Sequence, residues 1–165
     1  MSSPIALGLK SYSEYLFIDT DDKPLNFKES FNNCSPDGIK CEEVFFTDKK
    51  VKVASDIISA VYEISGINYF DVNKILNSET FTVVNKNGEE VEVRDRILDL
   101  YFTESNVLVC KLQFGNVTLR PDYFANKLKT VFGGDHYDII KKSVQFVGNK
   151  TDKEFLDSIN GEVDG

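Results

Sequence analysis

The sequence predicts an α+β fold, a single domain in which helices pack on one face of an antiparallel β-meander. Three observations predict it. Residues 80–119 alternate apolar and polar positions between short turns, while 48–65 and 121–159 space their apolar residues by threes and fours. The chain has 165 residues, 41% of them hydrophobic, enough for one core without a disulfide or metal staple. No repeat, linker or low-complexity stretch marks a second domain over 1–165.

Taken in order, residues 1–50 read as loop-rich with two short strands. One is Tyr15-Leu16-Phe17-Ile18, closed by Asp19-Thr20-Asp21-Asp22, and the other is Val44-Phe45-Phe46. Pro24, Pro36 and Gly38 punctuate the stretch between them. Over 48–65, Val51, Ala54, Ile58 and Val61 predict a one-faced helix, capped by Thr47 or Ser55 and ended by Gly66 in the left-handed conformation. Asn68 is placed to cap a short helix over 71–76.

The meander follows. Gly88 in Lys86-Asn87-Gly88 suits a three-residue hairpin loop, which pairs Val83 with Val91 and Phe81 with Val93. The next strands are expected at 97–103 and 107–119, the second bent at Gly115. Leu98, Leu100 and Phe102 then share a core face with Leu108, Cys110, Leu112 and Phe114, and Asp99 stands opposite Lys111 on the outer face.

Three helices complete the expectation. Pro121 opens the first, with a Phe124, Leu128, Val131 stripe stopped by Gly133-Gly134. Asp135 caps the second, which carries Ile140, Val144 and Val147 and ends at Gly148. Thr151-Asp152-Lys153-Glu154 is a capping box before Phe155, Leu156 and Ile159, with Asn160-Gly161 as the stop. Residues 154–165 form an acidic end expected to be partly flexible.

Charge narrows the partners. Nineteen basic residues face 27 acidic ones, a net of -8, which disfavours attraction of the whole molecule to phosphate or anionic lipid. The balance reverses locally over 120–153, where seven cations, Lys127, Lys141 and Lys142 among them, outnumber four carboxylates. No apolar run approaches the roughly eighteen residues of a membrane span, and Ile5–Leu9 is too short for a signal peptide. Cys34, Cys41 and Cys110 lack zinc-ligand spacing and read as reduced thiols of a cytoplasmic protein, with a Cys34–Cys41 bridge as the minor alternative.

Each candidate for chemistry has a structural competitor. His136, the sole histidine, follows Gly133-Gly134 at an expected helix N-terminus, where backbone N–H groups could meet an anion, yet the same residues make an ordinary sharp turn. Asp19, Asp21 and Asp22 lack the spacing of a Ca²⁺ loop and read as a solvated turn. Cys110, on an apolar strand face, reads as core. Residues 55–76 with the following hairpin imitate a winged helix, but one lysine on the short helix and Glu89 and Glu90 at the hairpin argue against DNA. Glu63 on a helix, then Asp99 and Lys111 on successive strands, follow the element order of restriction-endonuclease-like nucleases. Val109-Cys110-Lys111 lacks the carboxylate of their acid-x-lysine triplet, and an Asp99–Lys111 ion pair accounts for both residues.

Val93-Arg94-Asp95 through Tyr101-Phe102 to Val109-Cys110-Lys111-Leu112-Gln113-Phe114-Gly115 resembles a strand segment in the C-terminal module of proteins related to the N-terminal domain of type I restriction endonuclease R subunits. The resemblance covers residues 93–115. It implies an accessory module and carries over no catalytic residue.

The expectation is therefore a non-catalytic, acidic protein-interaction module, an inhibitor, immunity-type factor or assembly component, needing no cofactor or metal. Phe27 and Phe31 are the aromatic interface candidates, with closure of the core beneath the loop as their competing role. The alternative is a nuclease-like or nucleic-acid-associated protein using Asp99 and Lys111 or the basic 120–153 helices. Richness in Asn, Ile, Lys and Phe without Trp suggests an AT-rich source, viral or phage, which would place the chain in a host cytoplasm.

Overall fold

Ile57–Ile67, which holds the second half of the one-faced helix expected over 48–65, is instead the central strand of the sheet. Five of its eleven residues are Ile or Val, which lose side-chain freedom in a helix and pack well on a pleated surface. The computed structural model describes residues 9–47, 56–114 and 119–160. The expected helix positions Val51, Ala54 and Ser55, the Gly115 bend and Gly161 lie outside them.

The elements run β1 (Lys10–Ser11), α1 (Phe27–Cys34), β2 (Ile57–Ile67), α2 (Asn73–Leu76), β3 (Thr82–Val84), β4 (Glu90–Glu92), a 3₁₀ turn (Arg94–Arg96), β5 (Ile97–Phe102), β6 (Leu108–Gln113), α3 (Pro121–Phe132), β7 (Gly134–Phe146) and α4 (Asp152–Asn160). Five strands form one sheet in the order β1-β7-β2-β6-β5, antiparallel except for the β1–β7 pair. The fold is α+β, as expected, but the meander is not continuous: β3 and β4 form a separate two-stranded ribbon. The ribbon keeps the expected register, with Val83 opposite Val91 and the Val93 N–H donating to the Phe81 carbonyl at 2.8 Å.

The second expected helix, from Asp135, is also a strand, β7. A bulge explains both misreadings. Val61 pairs with Ser143 and Tyr62 with Lys141, so Lys142 is an extra residue in β7. The inward set becomes Ile139, Lys141, Val144, Phe146, whose uneven spacing imitates a helical stripe. A register shift between Ile57 and Ser59 does the same in β2, where Ile57, Ala60, Tyr62 and Ile64 face inward. A third shift, between Ile97 and Asp99, turns Leu98 outward and leaves it 47% exposed, against the expected core role.

The inner face is closed by α3, α4 and the ribbon. Pro121 occupies the first turn of α3 and Gly133, at φ +82, ends it. Phe124, Ala125 and Leu128 are buried, whereas Val131 faces solvent at 53% exposure. Phe132 stacks on Phe70 with centroids 4.0 Å apart, Phe81 packs edge-on to Phe124, and Phe155 stacks on Phe146 at 4.4 Å. The capping box forms: the Thr151 N–H donates to Glu154 Oε2 at 2.8 Å and the Glu154 N–H to Thr151 Oγ1 at 3.3 Å. Asp152–Asn160 is helical, as the capping box predicts, and the rest of the expected acidic end, 161–165, lies outside the described residues.

Where β2 meets β7, glycine is required. Gly66 sits at φ +85 within the strand, and a Cβ there would overlap the His136 carbonyl oxygen; one on Gly134 would overlap the carbonyl oxygen of Gly66. Val72 stands at the N-cap of short α2 and Asp71 Oδ1 accepts the Asn73 N–H at 3.0 Å, while the expected cap Asn68 donates to the Phe132 carbonyl instead.

Candidate functional site

The nuclease-like residues Glu63, Lys111 and Asp99 lie on three adjacent strands, β2, β6 and β5, with no side-chain hydrogen bond or ion pair joining them among the described residues. Asp99 is opposite Lys111, as its register predicts, but the Asp99 carboxylate accepts the Leu100 N–H at 2.9 Å, and no Asp99–Lys111 ion pair joins them among the described residues. Glu63 lies on β2 rather than on a helix, 3.2 Å from Lys142 Nζ. No group of three metal-ligating side chains occurs among the described residues.

His136 is displaced from its expected role for the same reason as its neighbours. It lies on β7, its side chain 92% exposed and 4.0 Å from Asp138, so no helix N-terminus stands there to meet an anion. The winged-helix reading also falls, because 57–67 is a strand. Cys110 is fully buried and burial pushes its thiol well above the ordinary range, which makes it a poor nucleophile. Cys34, Cys41 and Cys110 are all free thiols.

Three of the seven cations of 120–153, Arg120, Lys141 and Lys142, meet carboxylates among the described residues. Arg120 makes two bonds to Asp122, at 3.0 and 2.7 Å, and Lys142 meets Glu63. Lys127 is half-buried on α3. Lys141 is 4% exposed and points inward, its Nζ 2.7 Å from Glu14 Oε1 and 5.3 Å from the centre of the Phe114 ring. Ser11 Oγ donates to the same Glu14 oxygen at 2.7 Å, and Tyr62 is the cross-strand neighbour of Lys141. Burial raises the Tyr62 phenol well above its ordinary value, with Cys110, Glu14 and Asp122 adding to it. Sequence reasoning missed Glu14, Ser11 and Tyr62, because the bulge at Lys142 hid the inward register of Lys141.

This ion pair anchors an N-terminal arm. The Tyr12 N–H donates to the Lys141 carbonyl at 2.9 Å, and the Tyr15 hydroxyl donates to Asp152 Oδ2 at 2.7 Å while its ring meets Phe146 edge-on. Burial, then the Asp152 bond, raises the Tyr15 phenol well above its ordinary value. The expected strands at 15–18 and 44–46 belong to neither sheet, and the expected loop contains α1. Phe27 and Phe31, one helical turn apart, stack on each other at 5.9 Å and are half-buried rather than exposed. Asn32 grips the backbone of Cys41 twice, accepting its N–H at 2.7 Å and donating to its carbonyl at 3.1 Å.

From 9 to 47 no side chain is fully buried. Leu16, Ile18, Leu25, Ile39, Phe45 and Phe46 are exposed, Leu25 to 91%. The arm carries eight carboxylates and four lysines. The described residues contain no helix long and apolar enough to cross a membrane.

Fold and surface together define an α+β domain that holds out an acidic, apolar arm. Residues 1–121 match a family described as an uncharacterized protein conserved in bacteria, DUF2344, and the chain belongs to that family. The matched stretch spans the arm and β1 to β6; β7, which joins β1 to β2 in the sheet, lies beyond it. No curated protein and no solved structure matches the chain.

Proposed function

We propose that the protein is a non-catalytic interaction module whose acidic arm docks on another protein. The observation that carries this reading is the arm's apolar side chains left at the surface: an apolar set of that size is typical of a binding face, and ordering it against a partner recovers the burial it lacks alone. The partner presents a basic face with apolar pockets, since the arm offers carboxylates around Leu25, Phe45 and Phe46. Unbridged Cys34, Cys41 and Cys110 support a reducing compartment such as the cytoplasm.

Affinity capture with the full chain, beside a Leu25→Ser, Phe45→Ser, Phe46→Ser variant, tests the proposal. The native chain should retain one stoichiometric basic protein, and the variant should lose it with an unchanged melting temperature. Equal retention by both would overturn the proposal. So would DNA or RNA binding at low salt that Lys127→Ala weakens, which would favour the nucleic-acid reading.

A further inference from the structure

At the far side of the sheet from the arm, β5 is an edge strand. The Thr103 N–H donates to the Val107 carbonyl at 2.9 Å, which fixes the alternation of the β5–β6 ladder: Tyr101 and Asp99 bond inward to Val109 and Lys111, and Leu100 and Phe102 turn their backbone groups outward. Two of the outward groups are already taken by side chains. The Asp99 carboxylate accepts the Leu100 N–H at 2.9 Å, and an Arg94 guanidinium nitrogen donates to the Ile97 carbonyl at 3.0 Å. Around this row stand Leu98 at 47% exposure, Tyr101 at 52% and Tyr69 at 72%, the Tyr69 ring 5.0 Å from Phe102.

Exposed apolar side chains beside an edge whose Leu100 carbonyl and Phe102 groups have no partner among the described residues invite strand addition, and a carboxylate on that edge selects what can be added. We infer that β5 is a docking edge for an extended segment of a protein partner, one that carries a Lys or Arg between β-branched residues and exchanges Asp99 from the Leu100 N–H to its own cation. A second copy of this chain is a poor occupant. Antiparallel pairing of two β5 strands through their outward Leu100 groups sets Asp99 opposite Tyr101 of the other copy, so it offers the carboxylate no cation, and it joins molecules that each carry a net of -8. This inference is independent of the arm, which lies at the opposite edge.

The probes are two fluorescent nine-residue peptides of alternating Val and Thr, one with a central Lys and its twin with a central Glu. Anisotropy at low salt should show the Lys peptide binding about tenfold more tightly than the Glu peptide, and added salt should narrow the gap. The Leu100 and Phe102 amides should exchange more slowly in the complex. Asp99→Lys should reverse the preference; Asp99→Asn, which keeps an acceptor for the Leu100 N–H, should abolish it, with near-ultraviolet circular dichroism confirming that both variants fold. Binding of neither peptide, an unchanged preference in Asp99→Lys, slowed exchange confined to the arm, or dimerisation through β5 seen in sedimentation would each overturn the inference.

Discussion

Residues 9–47 and residues 56–156 are built from similar material and put it to different use. Fifteen of the 39 residues in the first stretch are hydrophobic, close to the 41% of the whole chain. Yet every fully buried side chain among the described residues lies between Ile57 and Leu156. Composition does not decide burial. In the second stretch the apolar residues fall on one face of paired strands and of α3, so each pairing covers several at once. In the first, proline, glycine and clustered aspartates break the pattern before any face is long enough to cover.

The contrast is sharpest in mutants that remove a large side chain. Phe124→Ala, at 0% exposure beneath the ribbon, should cost about 3–5 kcal/mol in denaturant unfolding. Gly66→Ala belongs with it, because it combines a positive φ with overlap on the His136 carbonyl, and should give a chain that expresses poorly or melts far below the native one. A small cost at Gly66 would mean that β2 and β7 are not packed backbone to backbone as described, and a small cost at Phe124 that α3 does not seat its buried face on the core.

Those two positions also show what could be read from the sequence. Phe124, Pro121 and Gly133 were legible because α3 is an unbroken amphipathic helix with ordinary start and stop residues. The β3–β4 register and the capping box at Thr151 were legible too, since each is set by a few neighbouring residues. Gly66 and His136 were misplaced because β2 and β7 carry bulges, and one inserted residue converts a period of two into spacings of two and three that pass for a helix. The better arbiter was the density of Ile and Val in 57–67. Among the candidate sites, the Asp99–Lys111 register was legible as a local hairpin property. The Glu14–Lys141 pair was not, because it joins residues 127 apart through a parallel pairing with no local signal.

That pair is the joint between the two regions, and breaking it is the next largest effect. Glu14→Gln leaves Lys141 buried without its counter-charge and should cost about 1–3 kcal/mol. It should also free the arm, so that limited proteolysis within 16–47 accelerates more than global stability accounts for. Adding Lys141→Met removes the stranded charge, and the double variant should regain part of the stability while keeping the fast proteolysis. If proteolysis does not change, the Tyr12 and Tyr15 contacts hold the arm by themselves.

Smaller again is the capping box of α4. Thr151→Ala should cost about 1 kcal/mol. The backbone bond from Thr151, then its hydroxyl, hold the Glu154 carboxyl below its ordinary 4.5. A carboxyl depressed on folding stabilises the native state above its unfolded value and loses that contribution as the pH falls through the lower folded value. The α4 end should therefore loosen below about pH 4.5, and Glu154→Gln should flatten that part of the pH profile. The Glu92 carboxyl, depressed by the Phe81 N–H and then the Arg94 N–H, moves the same way at the ribbon, so Glu92→Gln beside Glu154→Gln separates the two contributions.

The smallest effect on stability is expected where the binding effect is largest. Leu25→Ser and Phe46→Ser remove side chains that solvent already reaches, and each should change unfolding by less than about 0.5 kcal/mol. Amide exchange over 16–47 should be fast in the free chain and slow once a partner is bound, whereas exchange in β2 and β6 should hardly respond. The opposite ranking, a stability loss from Leu25→Ser approaching that of Phe124→Ala, would mean that the arm completes the core. The exposed apolar residues would then no longer point to a partner, and the docking role would rest on the β5 edge alone.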